Sequence, residues 1–254
     1  MTSIDIGFYA AAVTAAFLVG MAKGGLPAIG SLGVPILALA ISPIRAAGLL
    51  LPIFVVSDMV GLWVYRREFD RRIISIIVPA AAIGILFGWI TASWMSEALV
   101  TLIVGLIGVV FCVIRVWPRK GEPAPRAADI PRGVFWGAIT GFVSFVSHSG
   151  APPFQMYVLP IRLSKMVFAG TSTITFAMIN AIKLIPYWAL GQFSPANLRE
   201  AVILIPVAIL GTLAGAKLTR VIPDVMFFRL VTVALFVVSV KLSWDGAYGL
   251  AFMG

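Results

Sequence analysis

The sequence predicts an all-α membrane protein, a polytopic helical bundle of two inverted repeats, each opening with a broken or re-entrant helix pair. Three observations predict it. Of 254 residues, 61% are hydrophobic and 11% charged, where a soluble domain carries about 25% charged residues. Apolar runs of spanning length follow one another along nearly the whole chain. Glycine and proline interrupt the apolar sequence at matching places in its two halves.

A water-facing globule of this size cannot hide so much apolar surface, and the mean hydropathy of +1.05 points the same way. Lipid must cover it. The formal net charge of +9 resides in short clusters between apolar runs, the pattern of cytoplasmic loops. A nucleic-acid partner would call for a basic stripe on a water-soluble face instead, so none is expected. Cys112 is the sole cysteine and lies within an apolar run, which excludes an intramolecular disulfide and a cysteine metal site. The stretch from Ile6 to Met21 has no basic residue ahead of it. More spans follow at once, so it reads as a retained helix and not a cleaved signal.

A crossing takes roughly 20 apolar residues. Runs over about 46–65, 73–93, 97–116, 166–190, 199–220 and 225–243 meet that length. Two more, 6–22 and 133–148, are each followed by a short apolar piece, 28–42 and 152–161. Each pair either crosses twice or dips in and returns. Loop charge sets direction. Residues 66–72 hold four arginines, and the linker 117–132 holds Arg119, Lys120, Arg126 and Arg132. With these and the loop flanked by Lys217, Arg220 and Arg229 inside, loops 94–97 and 191–198 and both termini are expected outside.

The proline- and charge-rich linker 117–132 divides a first transmembrane repeat, 1–116, from a second, 133–254. Lys23-Gly24-Gly25-Leu26-Pro27 lies over His148-Ser149-Gly150-Ala151-Pro152, and Val34-Pro35 over Leu159-Pro160, at one offset. Pro79, Gly84 and Gly88 match Pro206, Gly211 and Gly215, and Asp58, Gly61 and Tyr65 match Asn180, Lys183 and Tyr187. Charge places the loop after Tyr65 inside and the one after Tyr187 outside, which makes the repeats inverted. Interrupted helices at corresponding places in inverted repeats are the layout of secondary transporters, with the solute at the breaks.

The chemistry of a break explains why. Helices in hydrocarbon break only where protein or water satisfies the freed backbone groups, and an exposed helix N-terminus favours an anion. Pro27 and Pro152 stand where a new helix starts, a position that tolerates proline. Lys23 and His148 occupy the same place in each break, with Gly24 and Gly25 in one and Ser147, Ser149, Gly150 and Gln155 around the other. An anion held between the two breaks is the sharp reading. In the plainer one, Lys23 snorkels to a surface, His148 packs, and the serines and Gln155 satisfy freed backbone.

The run 166–190 carries Thr171, Ser172, Thr173, Thr175, Asn180 and Lys183. Thr173, Asn180, Lys183 and Tyr187 recur at helical steps and share one face. Intramembrane ionisable groups face a cavity or a partner. Asp58 is the only carboxylate deep in a span; it either pairs with a lysine or takes up and releases a proton, a role also open to His148. Gly84-x-x-x-Gly88 and Gly211-x-x-x-Gly215 read as close helix packing. Phe154, Met156, Tyr157 and Trp188 either line space for an organic group or pack.

These residues carry a resemblance that covers nearly the whole chain. The two Gly-rich breaks, each followed by Val/Leu-Pro, and the run Gly170-Thr171-Ser172…Asn180-Ala181-Ile182-Lys183-Leu184-Ile185-Pro186-Tyr187 look like the sulfite exporter TauE/SafE family. The resemblance implies a permease of the bacterial cytoplasmic membrane for sulfite, organosulfonates or related sulfur oxyanions. Carried onto this chain, the family's two Gly-rich motifs fall on Lys23–Gly25 and His148–Gly150, and its polar helix on Thr171, Ser172, Asn180 and Lys183. Family members often have three glycines at each break, and the larger polar side chains here suggest a different substrate.

The expected partners are therefore a small anion and membrane lipid, with homo-oligomerisation left open. No cofactor or metal is expected. The chain has no phosphate-binding loop for ATP and no Gly-x-Ser-x-Gly elbow. One histidine and one deep carboxylate fall short of a hydrolytic metal cluster, which disfavours a membrane-embedded enzyme. An anion channel of the same architecture is the alternative, distinguished by its lack of saturation and counterflow.

Overall fold

A computed structural model describes residues 3–41, 43–91, 94, 96–116, 124–191 and 195–252, and all regular secondary structure among them is helical. In the first half, α1 (Ser3–Lys23) is followed by two short helices, α2 (Pro27–Gly30) and α3 (Gly33–Leu37), then α4 (Pro43–Tyr65), α5 (Arg71–Thr91) and α6 (Glu97–Val116). The second half repeats the order. There α7 (Ile130–Ser147) precedes the short α8 (Ala151–Val158) with a 3-10 turn at Leu159–Ile161. Next come α9 (Lys165–Ala189), α10 (Pro195–Val221) and α11 (Asp224–Phe252).

Each long apolar run became a long helix with ends within a few residues of expectation, save one. The last helix continues past 243 to Phe252, where Lys241 and Asp245 pair across one turn at 2.5 Å. Among the described residues six helices are long and apolar enough to cross a membrane, and α6 is apolar over Ala98–Ile114. The chain is a multi-pass membrane protein. The 8 residues of α8 rise only about 12 Å against a hydrocarbon layer of about 30 Å, so as a helix this piece does not cross. The shorter α2 and α3 fall short for the same reason.

Residues 117–123 of the expected linker, with Arg119 and Lys120, lie outside the described residues, as do 95 and 192–194 in the two sparsely charged loops. Beyond the linker, Asp129 caps α7 by accepting from the Arg132 amide at 3.0 Å.

The chain forms two compact units, and each draws on both sides of the linker. One comprises Met1–Asp70 and Lys165–Pro223; the other comprises Arg71–Ser164 and Asp224–Gly254. In the first, α1 lies along α10 and α4 packs on both α9 and α10. Its core joins Ala12, Ala15, Ala16 and Val19 of α1 to Leu49, Leu50 and Ile53 of α4 and to Ala201, Leu204 and Ala208 of α10. Small residues let the backbones approach: a methyl group on Gly215 would stand 2.6 Å from the Met21 carbonyl. In the second unit α7 lies along α5 and α6 along α11. There a methyl on Gly88 would meet the Phe145 ring at 2.9 Å. Outward faces carry residues such as Ile83, Phe87 and Trp244, more than half exposed, as lipid contact requires.

Candidate functional site

The first break is built by glycine. Gly25 has φ +113°, a conformation that residues with a Cβ rarely adopt. It ends α1 directly after Lys23, and Pro27 opens α2. The carbonyls released at the helix end are taken up by hydroxyls from three other helices. Tyr65 of α4 donates to the Gly24 carbonyl at 2.6 Å, and Thr219 of α10 donates to the same oxygen at 3.0 Å. Thr173 of α9 donates to the Lys23 carbonyl at 3.0 Å. This satisfies the requirement that buried backbone be paired.

Lys23 does not snorkel. Its Nζ lies 2.7 Å from Asp58 Oδ1, and both side chains are almost fully buried. The ammonium also lies 5.1 Å from the Phe54 ring centroid and 5.7 Å from that of Phe176. Asn180 Nδ2 donates to Asp58 Oδ2 at 2.7 Å, so the carboxylate is held from two sides. Lys183, one turn beyond Asn180, is 1% exposed, and its Nζ lies 6.0 Å from the centroid of the buried Tyr187 ring. The structure thus gathers Lys23, Asp58, Asn180 and Lys183 inside one compact unit.

Burial of α9's polar residues follows from packing on α4, but their tasks differ. Thr171 accepts from the Asp70 amide at 2.9 Å, and Ser172 donates to the Phe168 carbonyl of its own helix at 2.7 Å. Thr175 Oγ1 and Ser57 Oγ are buried with no hydrogen-bond partner among the described residues. Sequence reading passed over Ser57, Phe54, Phe176 and Thr219. Adjacency to Asp58 was the available signal for Ser57; for the other three nothing short of tertiary packing connects them to Lys23.

The second break lies in the other unit. Here α7 ends at Ser147, and His148 takes the left-handed conformation at φ 53° that closes the helix. Ser147 donates to the Val143 carbonyl of its own helix at 3.3 Å, and Ser149 donates at 3.1 Å to the Ser147 carbonyl, which the helix end frees. His148 is half-buried, and Ser149 and Gly150 are buried. Gln155 is 0% exposed, and neither its Oε1 nor its Nε2 has a partner among the described residues. Phe154, Met156 and Tyr157 are buried around it in sequence, with the Tyr157 hydroxyl donating to the Asp129 carbonyl at 2.9 Å. Trp188 is 76% exposed and faces outward.

The two breaks differ in charge and in the length of the helix that follows. At the first, Lys23, paired with Asp58, precedes a helix of only four residues that opens at Pro27. At the second, a helix of eight residues follows and carries Gln155, whose amide has no partner among the described residues. A family model described as sulfite exporter TauE/SafE matches residues 12–242. No curated protein and no solved structure matches the chain.

Proposed function

The chain belongs to the sulfite exporter TauE/SafE family, and from that premise we propose that it is a secondary permease for sulfite, an organosulfonate or a related sulfur oxyanion. The observation that carries this reading is the charge of the buried set. Lys23 and Lys183 contribute two ammonium groups and Asp58 a single carboxylate, all within a few percent of full burial. The set has a formal excess of one positive charge. Holding ionic groups away from water costs several kcal/mol, and a bound anion offsets part of that penalty. Asn180, Thr175 and Ser57 add amide and hydroxyl groups suited to sulfur-bound oxygens.

In this reading the anion sits near the midplane at the helix breaks, with Lys23, Gly24, Gly25, Asn180 and Lys183 as contacts in the first. His148, Ser149, Gly150 and Gln155 form the counterpart set in the second. The repeated element order, one long helix, a short helical stretch and three long helices in each half, supports an inverted-repeat architecture with re-entrant short helices. The arginine-rich segment 66–72 supports placing that end on the cytoplasmic face of a bacterial inner membrane. Asp58 and His148 are the candidate coupling groups.

A thermal-shift series with purified protein tests the reading, using sulfite, sulfate, thiosulfate, taurine and aryl sulfonates. A ligand that binds the native state raises its apparent stability by about 2.7 kcal/mol at a hundred times its Kd. Selective stabilisation by one sulfur anion is expected. Uniform indifference to all five, in protein that remains folded, would overturn the assignment.

A further inference from the structure

A pocket of about 410 Å³ opens at one end of the unit that holds Lys23, lined by Trp63, Arg66, Arg67, Glu68, Met166 and Arg220 among others. Three guanidinium groups face one carboxylate, so the lining carries a formal excess of two positive charges. Two nearby cations already have structural work. Arg66 Nη1 donates to the Trp63 carbonyl at 2.6 Å, with the guanidinium 5.1 Å from the centroid of the Trp63 ring. Lys165 Nζ donates to the carbonyls of Arg220 and Ile222, closing the end of α10. The side chains of Arg67 and Arg220 remain, exposed and in no ion pair among the described residues.

We propose that this pocket is a binding site for the headgroup of an anionic phospholipid, with Arg67 and Arg220 holding its phosphodiester. A guanidinium pairs with phosphate oxygens in a planar, bidentate geometry. The apolar part of the wall selects the lipid over a small soluble anion. Trp63 is 65% exposed, and an exposed tryptophan at a helix end marks the membrane–water interface. Val221, which follows Arg220 in sequence, is 73% exposed and adds apolar surface at the same helix end for acyl chains. The volume is several times that of a single sulfur oxyanion and suits a glycerophosphate headgroup. Basic pockets between spanning helices at the cytoplasmic face are known seats for such headgroups. The site stands independently of the transported anion.

Native mass spectrometry in detergent tests this with equal amounts of phosphatidylglycerol and phosphatidylcholine added to the full-length protein. The wild type is expected to retain phosphatidylglycerol preferentially. The double variant Arg67→Gln/Arg220→Gln should bind it roughly tenfold or more weakly, each arginine near an anionic surface supplying about a factor of five. Its stabilisation by the transported anion should persist, which separates this site from the one at Lys23. Should the double variant fail to fold, Arg67→Gln alone is expected to weaken phosphatidylglycerol roughly threefold to fivefold. Lys217→Gln, an exposed cation outside the pocket, is the control and should change nothing. Unchanged lipid preference in the arginine variants, or an equal loss in Lys217→Gln, would overturn the site. Displacement of the lipid by millimolar inorganic phosphate would reassign the pocket to a soluble anion.

Discussion

Lys23 and Asp58 stand 2.7 Å apart with side chains only 6% and 5% exposed, one closing α1 and the other deep within α4. The pair ties the first break to α4. Asn180 then links the same carboxylate to α9 at 2.7 Å. Asp58 therefore joins the first break, through Lys23, to the polar face of α9, through Asn180.

Removing the carboxylate strands a buried ammonium. Asp58→Leu should destabilise the protein by about 3–5 kcal/mol, the usual effect of breaking a buried pair from one side. Lys23→Met/Asp58→Leu should recover much of that loss yet abolish transport. Chemical unfolding in detergent reads the first effect and liposome uptake the second. Full uptake by the double variant would make the pair purely structural.

Lys183→Met keeps the length of the side chain and removes the charge. Anion-induced stabilisation is expected to disappear, with binding at least tenfold weaker and the protein still inserted and folded. Calorimetric titration with sulfite or the best ligand of the thermal series measures this. Wild-type affinity would take Lys183 out of the site.

The latch on Gly24 is open to a double-mutant cycle. Tyr65→Phe and Thr219→Val each remove one donor to the same carbonyl and should each cost about 1 kcal/mol. Together they leave a buried carbonyl unpaired, so their joint effect should exceed the sum. Additive losses would mean that water enters to satisfy the oxygen.

Gly25→Ala meets two obstacles. The backbone has φ +113°, and the new methyl would stand 2.7 Å from Thr219 Oγ1 and 2.8 Å from the Tyr65 hydroxyl. A loss of about 1–3 kcal/mol is expected. Gly7→Ala, with nothing within 4 Å, should stabilise its helix by about 0.5–1 kcal/mol. Equal melting temperatures for the two variants would refute the strain argument.

Gln155 is fully buried with both amide atoms unsatisfied among the described residues. Gln155→Leu should thus stabilise the ligand-free protein by about 1–3 kcal/mol, the penalty of a buried unpaired polar group. It should also reduce the stabilisation conferred by the anion. Destabilisation of the ligand-free state would show that Gln155 serves the fold alone.

Composition and periodicity alone determined the helices. A run such as 73–93 or 199–220 must be helical in lipid because only that conformation pairs every backbone group within the segment. Gly24, Gly25 and Pro27 marked the first break for an equally local reason, since φ and the missing amide are properties of the residues themselves. The same holds for Lys183 and Asn180, whose spacing on α9 already put them on one face.

Partnership was another matter. Sequence spacing aligns Asp58 with Asn180, yet nothing in a one-dimensional pattern says that the two bond each other, or that Asp58 chooses Lys23. Nor does the linker reveal that α1 packs on α10 and α7 on α5, so that each compact unit takes helices from both halves. These choices depend on which small-residue faces approach closely in three dimensions. Ala12, Ala16 and Ala208 look alike in a hydropathy profile and are distinguished only by what they touch. The lysines were legible as unusual; that Lys23 is the one paired with Asp58 was decided by tertiary packing.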